Sequence, residues 1–346
     1  MAWMSVAGQR GATVVGDGVC TVIGCCRSTA YDGHPVETLA DPAALQSSLR
    51  DWYAANGRDL AFRRSAEPWP VLVSEVMLQQ TQVARVEPAW TAYLARFPSV
   101  GALAAATPAD SLRAWSGLGY NRRALNLWRA ATIMVECHHG EVPRTLDELR
   151  ALPGVGGYTA RAVAAIAFGQ PVAAVDTNVR RVIGRVLWGH AGPPSAGALQ
   201  AAADRLVDRG QPAKWTHAVM DIGATICHPR KPACAECPVA GLCRYAMTPS
   251  ADARALPIAA TRTPPAHAVA RTPAEPFARS ARWLRGRIVD RLRQAEPGDW
   301  VQIEGPLGDH GTDSVAAALE ALASEGLLER SDRGRVRLSL GEGVRA

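Results

Sequence analysis

No run of apolar residues in this chain is long enough to cross a bilayer, which takes about 20 of them. The stretch from Met1 to Gly33 also lacks the basic start and continuous apolar core of a secretory signal. Both absences read as a cytoplasmic protein. Disulfides are then a poor account of its eight cysteines, because that compartment keeps thiols reduced. Long alternating strand runs are missing between Pro70 and Gly241, where helical patterns follow one another with short Gly/Pro breaks. That stretch reads as all-α.

What is present is ordinary in amount and uneven in placement. Of the 346 residues, 48% are hydrophobic, as in soluble globular proteins. The net charge of +6 points toward an acidic partner, nucleic acid being the commonest, though a mildly basic protein without one fits equally well. Residues 1–40 are rich in Gly, Ser and Thr without a sustained period and read as a disordered tail. Asp41-Pro42 starts the first helix, with Leu45, Leu49, Trp52 and Tyr53 on one face and Gly57 at its end. The core is expected over 41–246 and a Pro/Ala-rich linker over 247–280. A small α+β module follows over 281–346. Its first helix carries Trp283, Leu284, Ile288, Val289 and Leu292, and its second is capped near Asp313. The turn Ser331–Gly334 then leads into Val336, Leu338 and Leu340 at strand period. Helices followed by a β-wing suggest a winged helix, which would serve DNA contact or protein packing.

Four cysteines, Cys227, Cys234, Cys237 and Cys243, have the spacing C-x6-C-x2-C-x5-C. Four thiolates supply one ligand per iron of a [4Fe–4S] cube. Zinc competes for such sets, but its sites usually pair two C-x2-C knuckles, and only one is present over 227–243. Cys20, Cys25, Cys26 and Cys137 have no such spacing and read as ordinary thiols. Between the first two ligands, Arg230 and Lys231 are either a solvated pair or a clamp on a phosphate backbone.

Thr145–Glu148 is a capping box opening a short helix that stops at Leu152-Pro153-Gly154-Val155-Gly156. A second helix follows from about Tyr158 to Phe168. Such a helix–LPGVG–helix unit can turn the free N–H groups of its second helix toward a phosphate, with Gly154 and Gly156 allowing close approach. A plain αα-hairpin shows the same pattern. Glu75 stands in the apolar run Val71–Leu78 and is expected in a crevice with a raised pKa, as a general acid requires. Asp176 precedes a helical pattern, as an N-cap that also holds a carboxylate rigid. Two carboxylates in unlike environments suit cleavage of a glycosidic bond: one protonates the leaving group, the other faces the sugar cation.

The order Ser74–Val83, Gly117–Tyr120, Leu152–Gly156, Val175–Arg181, Met220–Ala224 and the four cysteines resembles the MutY-type A/G-specific adenine DNA glycosylases over about residues 41–245. The resemblance implies a mainly α, two-lobed helix-hairpin-helix core with a cluster loop over 227–243, holding [4Fe–4S] on Cys227, Cys234, Cys237 and Cys243. It implies double-stranded DNA with a mispair or oxidised guanine as partner, and a monomer associated with the nucleoid. The target base would be flipped from the duplex. Glu75 would protonate its N7, Asp176 would stabilise the sugar cation, and a water near Asn178 and Glu75 would complete hydrolysis. Tyr158 stands where bifunctional relatives carry a lysine, so an abasic site would be left uncut. Gln79, Gln80 and Thr81 would probe the opposite base, Leu78 and Tyr120 belong to the same DNA-facing set, and Arg63 matches an active-site arginine.

The chain also departs from that pattern. Ala61-Phe62-Arg63 replaces Pro-Trp-Arg, Asn121 replaces a second tyrosine, and His217 stands where a Gln or Glu commonly reads adenine. The C-terminal region is too short for a Nudix-like sensing domain, as in short actinobacterial forms. Excision of adenine opposite 8-oxoguanine or G is therefore the expected activity. A thymine or uracil mismatch glycosylase and a non-catalytic DNA-binding protein are the alternatives.

Overall fold

The computed structural model describes residue 39 and residues 41–193, 195–248 and 276–341. The expected N-terminal tail and most of the expected linker therefore lie outside the described residues. Met247 still closes a helical turn, and Phe277–Arg279 forms a 3-10 turn. The helices are α1 (Pro42–Asn56), α2 (Pro68–Leu78), α3 (Val83–Arg96), α4 (Val100–Ala104), α5 (Pro108–Ala114), α6 (Arg122–Cys137) and α7 (Leu146–Ala151). They continue as α8 (Gly157–Phe168), α9 (Thr177–Trp188), α10 (Ala196–Leu206), α11 (Pro212–Thr225), α12 (Arg244–Met247), α13 (Ala281–Gln294) and α14 (Thr312–Ser324). Strands β1 (Leu328–Arg330) and β2 (Val336–Leu338) pair antiparallel, Leu328 opposite Leu338. The fold is mainly helical, as expected.

Local rules account for most boundaries. Asp41 accepts from the Ala44 N–H at 2.8 Å, and Pro42 fits the first helical position, where no N–H is needed. Thr107 and Thr145 each head a capping box, with Asp110 and Glu148 reaching back. Helix α14 begins at Thr312 behind Gly311, so Asp313 lies in its first turn rather than capping it. Asp313 still meets the positive end of the helix there. Cys137, expected as an ordinary thiol, is disulfide-bonded.

Two apolar cores divide the helices into two lobes. One gathers α2 to α8 around Leu72, Met77, Leu112, Trp115 and Met134, all fully buried. The other gathers α1 and α9 to α12 around Leu45, Leu49, Ile183, Trp215 and Ile222. Helix α2 is apolar on nearly every side, so it runs through the first core rather than over it. It packs against α8, whose fully buried Ala160, Ala162 and Ala164 permit close approach. Leu284, Ile288, Leu319 and Val336 of the C-terminal module join the same core as α2 to α8.

Candidate active site

A cavity of about 600 Å3 is lined from both lobes, by Arg63, Glu75, Tyr158, Asp176, Asn178 and His217 among others. Glu75, on α2, is buried, with only 6% of its surface exposed. Its pKa is pushed up to about 7, chiefly by burial. A hydrogen bond from Tyr158 and the charge of Arg63 pull the other way, and Asp176 adds to the rise. The Glu75 Oε2 atom is buried without a hydrogen-bond partner, on a residue that lines the cavity. Tyr158 opens α8, and its phenol is held far above its ordinary pKa by burial and by the Glu75 and Asp176 charges. It remains a neutral donor.

Asp176 caps α9, its Oδ1 accepting from the Val179 N–H at 2.7 Å. Its Oδ2 accepts from the Asn178 amide at 3.0 Å. Asn178 in turn accepts from Arg181 Nη2 at 2.8 Å, while Arg181 Nε donates to the Cys227 carbonyl at 2.6 Å. A continuous polar chain thus runs from the cavity carboxylate to the first cysteine of the cluster loop.

Arg63 reaches the cavity edge from the turn Ala61–Arg63, but both its terminal nitrogens are spent on Asp221, at 2.8 and 2.9 Å. Asp221 is fully buried; burial would raise its pKa, yet the bonds from Arg63 and Arg58 hold it below the ordinary value. His217, on the same helix, is driven down to about 3 by burial and by Arg63, so it faces the cavity as a neutral imidazole.

The expected DNA-facing residues form two loops beside one buried arginine. Arg123 Nη1 donates to the carbonyls of Val76, Met77 and Gln79, and its Nη2 donates to Thr81, Leu118 and Gly119. One side chain therefore fixes both 79–81 and 117–120. Gln80 and Tyr120, at their tips, have φ of 56° and 45°, a region that costs energy for residues with a Cβ. Leu78 lines the cavity at the foot of the first loop. Gln79 is partly committed, donating to the Gly154 carbonyl and Thr159 hydroxyl, both at 3.2 Å. Gly154 has φ 79°, and a Cβ there would lie 2.9 Å from Asn126. Gly156 is the N-cap of α8 and brings no capping side chain, leaving the first N–H groups open to an anion. Leu152 is buried, so only its backbone can face a strand.

Arg123, Asp221, Arg181 and Arg185 carry no signal of their roles in the sequence. An arginine in a helical run reads as a solvated face, and only the buried partners reveal otherwise. Arg185 is buried on α9 and donates to the Cys227 sulfur at 3.1 Å and to the His228 and Pro229 carbonyls, both at 2.9 Å. It pins the base of the loop that carries Arg230 and Lys231, both exposed.

Residues 73–208 match the HhH-GPD superfamily of base excision DNA repair proteins, and residues 227–243 match the iron-sulfur binding domain of endonuclease III. The fold and cavity thus define a helix-hairpin-helix DNA N-glycosylase, an enzyme with an iron–sulphur site. Over 299 residues the chain is 40% identical to the adenine DNA glycosylase of Mycolicibacterium smegmatis, spanning 85% of this chain and 96% of that one. With the human adenine DNA glycosylase it shares 43% identity over 223 residues, 61% of this chain and 41% of the relative. A thermostable thymine-DNA glycosylase superposes with a TM-score of 0.56 at 29% identity, covering 59% of this chain and 96% of that structure. The chain belongs to the adenine DNA glycosylase family.

The cysteines fit an iron–sulphur cube. The Cys237 thiol is pushed up to about 11, chiefly by burial, with Cys227, Cys243 and Cys234 contributing to the rise. Among the described residues no three His, Cys, Asp or Glu side chains close in on a single ion. Four cysteine thiols in the one loop that matches the iron-sulfur binding domain supply one ligand per iron of a cube. Burial also raises the Cys243 thiol, and a bound metal's charge would displace the protons of both Cys237 and Cys243. Among the described residues, no helix is long and apolar enough to cross a membrane.

Proposed function

We propose that the protein excises adenine from duplex DNA, where adenine stands opposite 8-oxoguanine or guanine, and leaves an abasic site. Glu75 carries this reading: a cavity-lining carboxyl with a pKa of about 7 and an unpartnered buried oxygen holds its proton until a base arrives. Glu75 gives that proton to N7 of the extruded adenine, and the C1′–N9 bond breaks with its electron pair leaving on the base. The capped Asp176 carboxylate faces the positive sugar that results. A water then adds to C1′, and its proton returns to Glu75. Asn178, bonded to Asp176 and Arg181, stands where it can orient that water. Tyr158 offers a phenol, which cannot form the imine needed for strand cleavage. Neutral His217 can donate to or accept from the base edge, while Gln79, Gln80 and Thr81 face the strand opposite. The relatives named adenine DNA glycosylase support the choice of base.

The test uses duplexes carrying A, T or U opposite 8-oxoguanine or G, followed by alkali. Scission at A alone, and only after alkali, is the expected outcome. Scission at T or U alone moves the protein to mismatch pyrimidine repair, a reading that the similarity to a thymine-DNA glycosylase keeps in view. Cutting before alkali rules out the monofunctional reaction. Sedimentation of the free and DNA-bound protein as one copy checks the monomer.

A further inference from the structure

Both residues at the tip of the second DNA-facing loop are held by the C-terminal module. The Arg282 guanidinium lies 4.0 Å from the centroid of the Tyr120 ring. Farther along the same helix, Arg293 Nη2 donates to Asn121 Oδ1 at 2.7 Å. Arg293 is itself fixed, its Nε donating to the Leu112 carbonyl at 2.8 Å and its Nη1 to Asp290 at 2.7 Å.

The core holds the inner side of this tip through Arg123, which bonds the Leu118 and Gly119 carbonyls and lies 5.5 Å from the Tyr120 centroid; the module's contacts hold its outer side. Tyr120 is 37% exposed and has a positive φ, so neither burial nor backbone preference keeps its ring where it is. Asn121 is the N-cap of α6, a position where its amide oxygen would ordinarily accept from the helix's own N–H groups. It makes no such cap bond: its backbone is helical, with φ −54° and ψ −25°, and its oxygen accepts from Arg293 instead. Arg282 meets no carboxylate among the described residues. A cavity of about 780 Å3 separates module and tip and reaches Gln79 and Gln80, which also line the excision cavity. The two cavities therefore share the 79–80 loop as a wall.

We propose that the C-terminal module is a brace that holds Tyr120 and Asn121 in position to enter the base stack of the strand opposite the excised base. Arg282 and Arg293 are then positioning residues for the outer side of a tip whose inner side rests on Arg123. This rests on the glycosylase reading above. It gives the module a part in the repair reaction without requiring it to touch the target base.

The experiment uses the full-length, cluster-loaded protein in a Glu75→Gln background, so that binding is read without excision. The duplex carries A opposite G, with 2-aminopurine beside that G as a fluorescent reporter of unstacking. The background protein is expected to raise the fluorescence on binding. Arg282→Ala should cut the rise by about half, while the Kd for the duplex grows by less than about fivefold. Arg282 is exposed, so this variant does not threaten the fold. Arg293→Ala should act in the same direction, with its thermal unfolding recorded alongside. Arg282→Lys keeps the charge without the flat guanidinium and is expected to stay low. Full recovery with lysine, or an unchanged rise in Arg282→Ala, overturns the brace. So does a background protein that binds the duplex with no rise at all. Failure of that protein to bind duplex DNA overturns the glycosylase reading itself.

Discussion

Gly223 lies so close to Asn178 that a Cβ on the glycine would sit 2.5 Å from the asparagine Cβ and 3.1 Å from its Cα. The backbone of α11 thereby presses on the residue that holds the Asp176 carboxylate and passes to Arg181 and the cluster loop. Gly223→Ala must push Asn178 aside, since backbone on one side and a short side chain on the other have little room to give. Displacing a reacting group by about 1 Å can cost about 100-fold in rate. Single-turnover excision by Gly223→Ala is expected to fall by roughly 10- to 100-fold, with duplex affinity nearly unchanged. A rate within about twofold of wild type removes Asn178 from the positioning of Asp176.

The pH dependence follows from Glu75. Its folded-state pKa of about 7 stands above the ordinary 4.5, so the native protein holds this proton more tightly than the unfolded chain. The associated stability is fully present below pH 4.5 and is lost as pH rises through about 7. Full deprotonation of this buried carboxyl costs at most roughly 3 kcal/mol. Glu75→Gln has no proton to lose, so its Tm should exceed wild type more at pH 8 than at pH 5. The excision rate should halve near pH 7 and drop about tenfold per further unit, as the acid form disappears. A rate flat from pH 6 to 9 in single-turnover assays sinks the general-acid role.

Local signals make much of the site legible in the sequence. Asp176 as a cap, the Thr145–Glu148 box and the LPGVG turn each rest on residues within a few positions of one another, where steric and hydrogen-bond rules apply directly. Glu75 stands out because α2 offers no polar face to carry it. The arginines do not stand out. Arg123, Arg181 and Arg293 matter through carbonyls and amides on other elements, and a helical pattern shows that a face is polar without naming its partner. The sharing of one core between the C-terminal module and α2 to α8 is hidden for the same reason. Leu284, Ile288 and Leu292 announce a covered face but not what covers it.

Tyr158 offers a sharper test of the same acid. Its hydrogen bond lowers the Glu75 pKa against the larger effect of burial. Tyr158→Phe removes the bond and leaves the ring, so the proton should be held more tightly and the alkaline fall in rate should move to higher pH. The change in position of that limb, measured across pH 6 to 9, separates this effect from a general loss of activity. A limb that stays in place, or moves toward acid, means that the phenol does not bond the carboxyl in solution.

Arg230 and Lys231 are exposed on a loop whose base is tied by Arg185 and whose two ends are cysteines of the cluster set. Neither meets a carboxylate among the described residues, so each is free to pair with a phosphate. A lost phosphate contact reduces the slope of log K against log salt by about 0.9. Arg230→Ala and Lys231→Ala should each flatten that slope by roughly one contact, and the double variant by roughly two. Their excision rate at saturating protein should match wild type, because the loop lies outside the cavity lining. Cys237→Ser, which breaks the ligand set, should lose the iron–sulphur absorption and also flatten the slope, since the two charges then sit on an untethered loop. Single variants with an unchanged salt slope would assign the pair to solvent, and the cluster's part in gripping DNA would have to lie elsewhere on the loop.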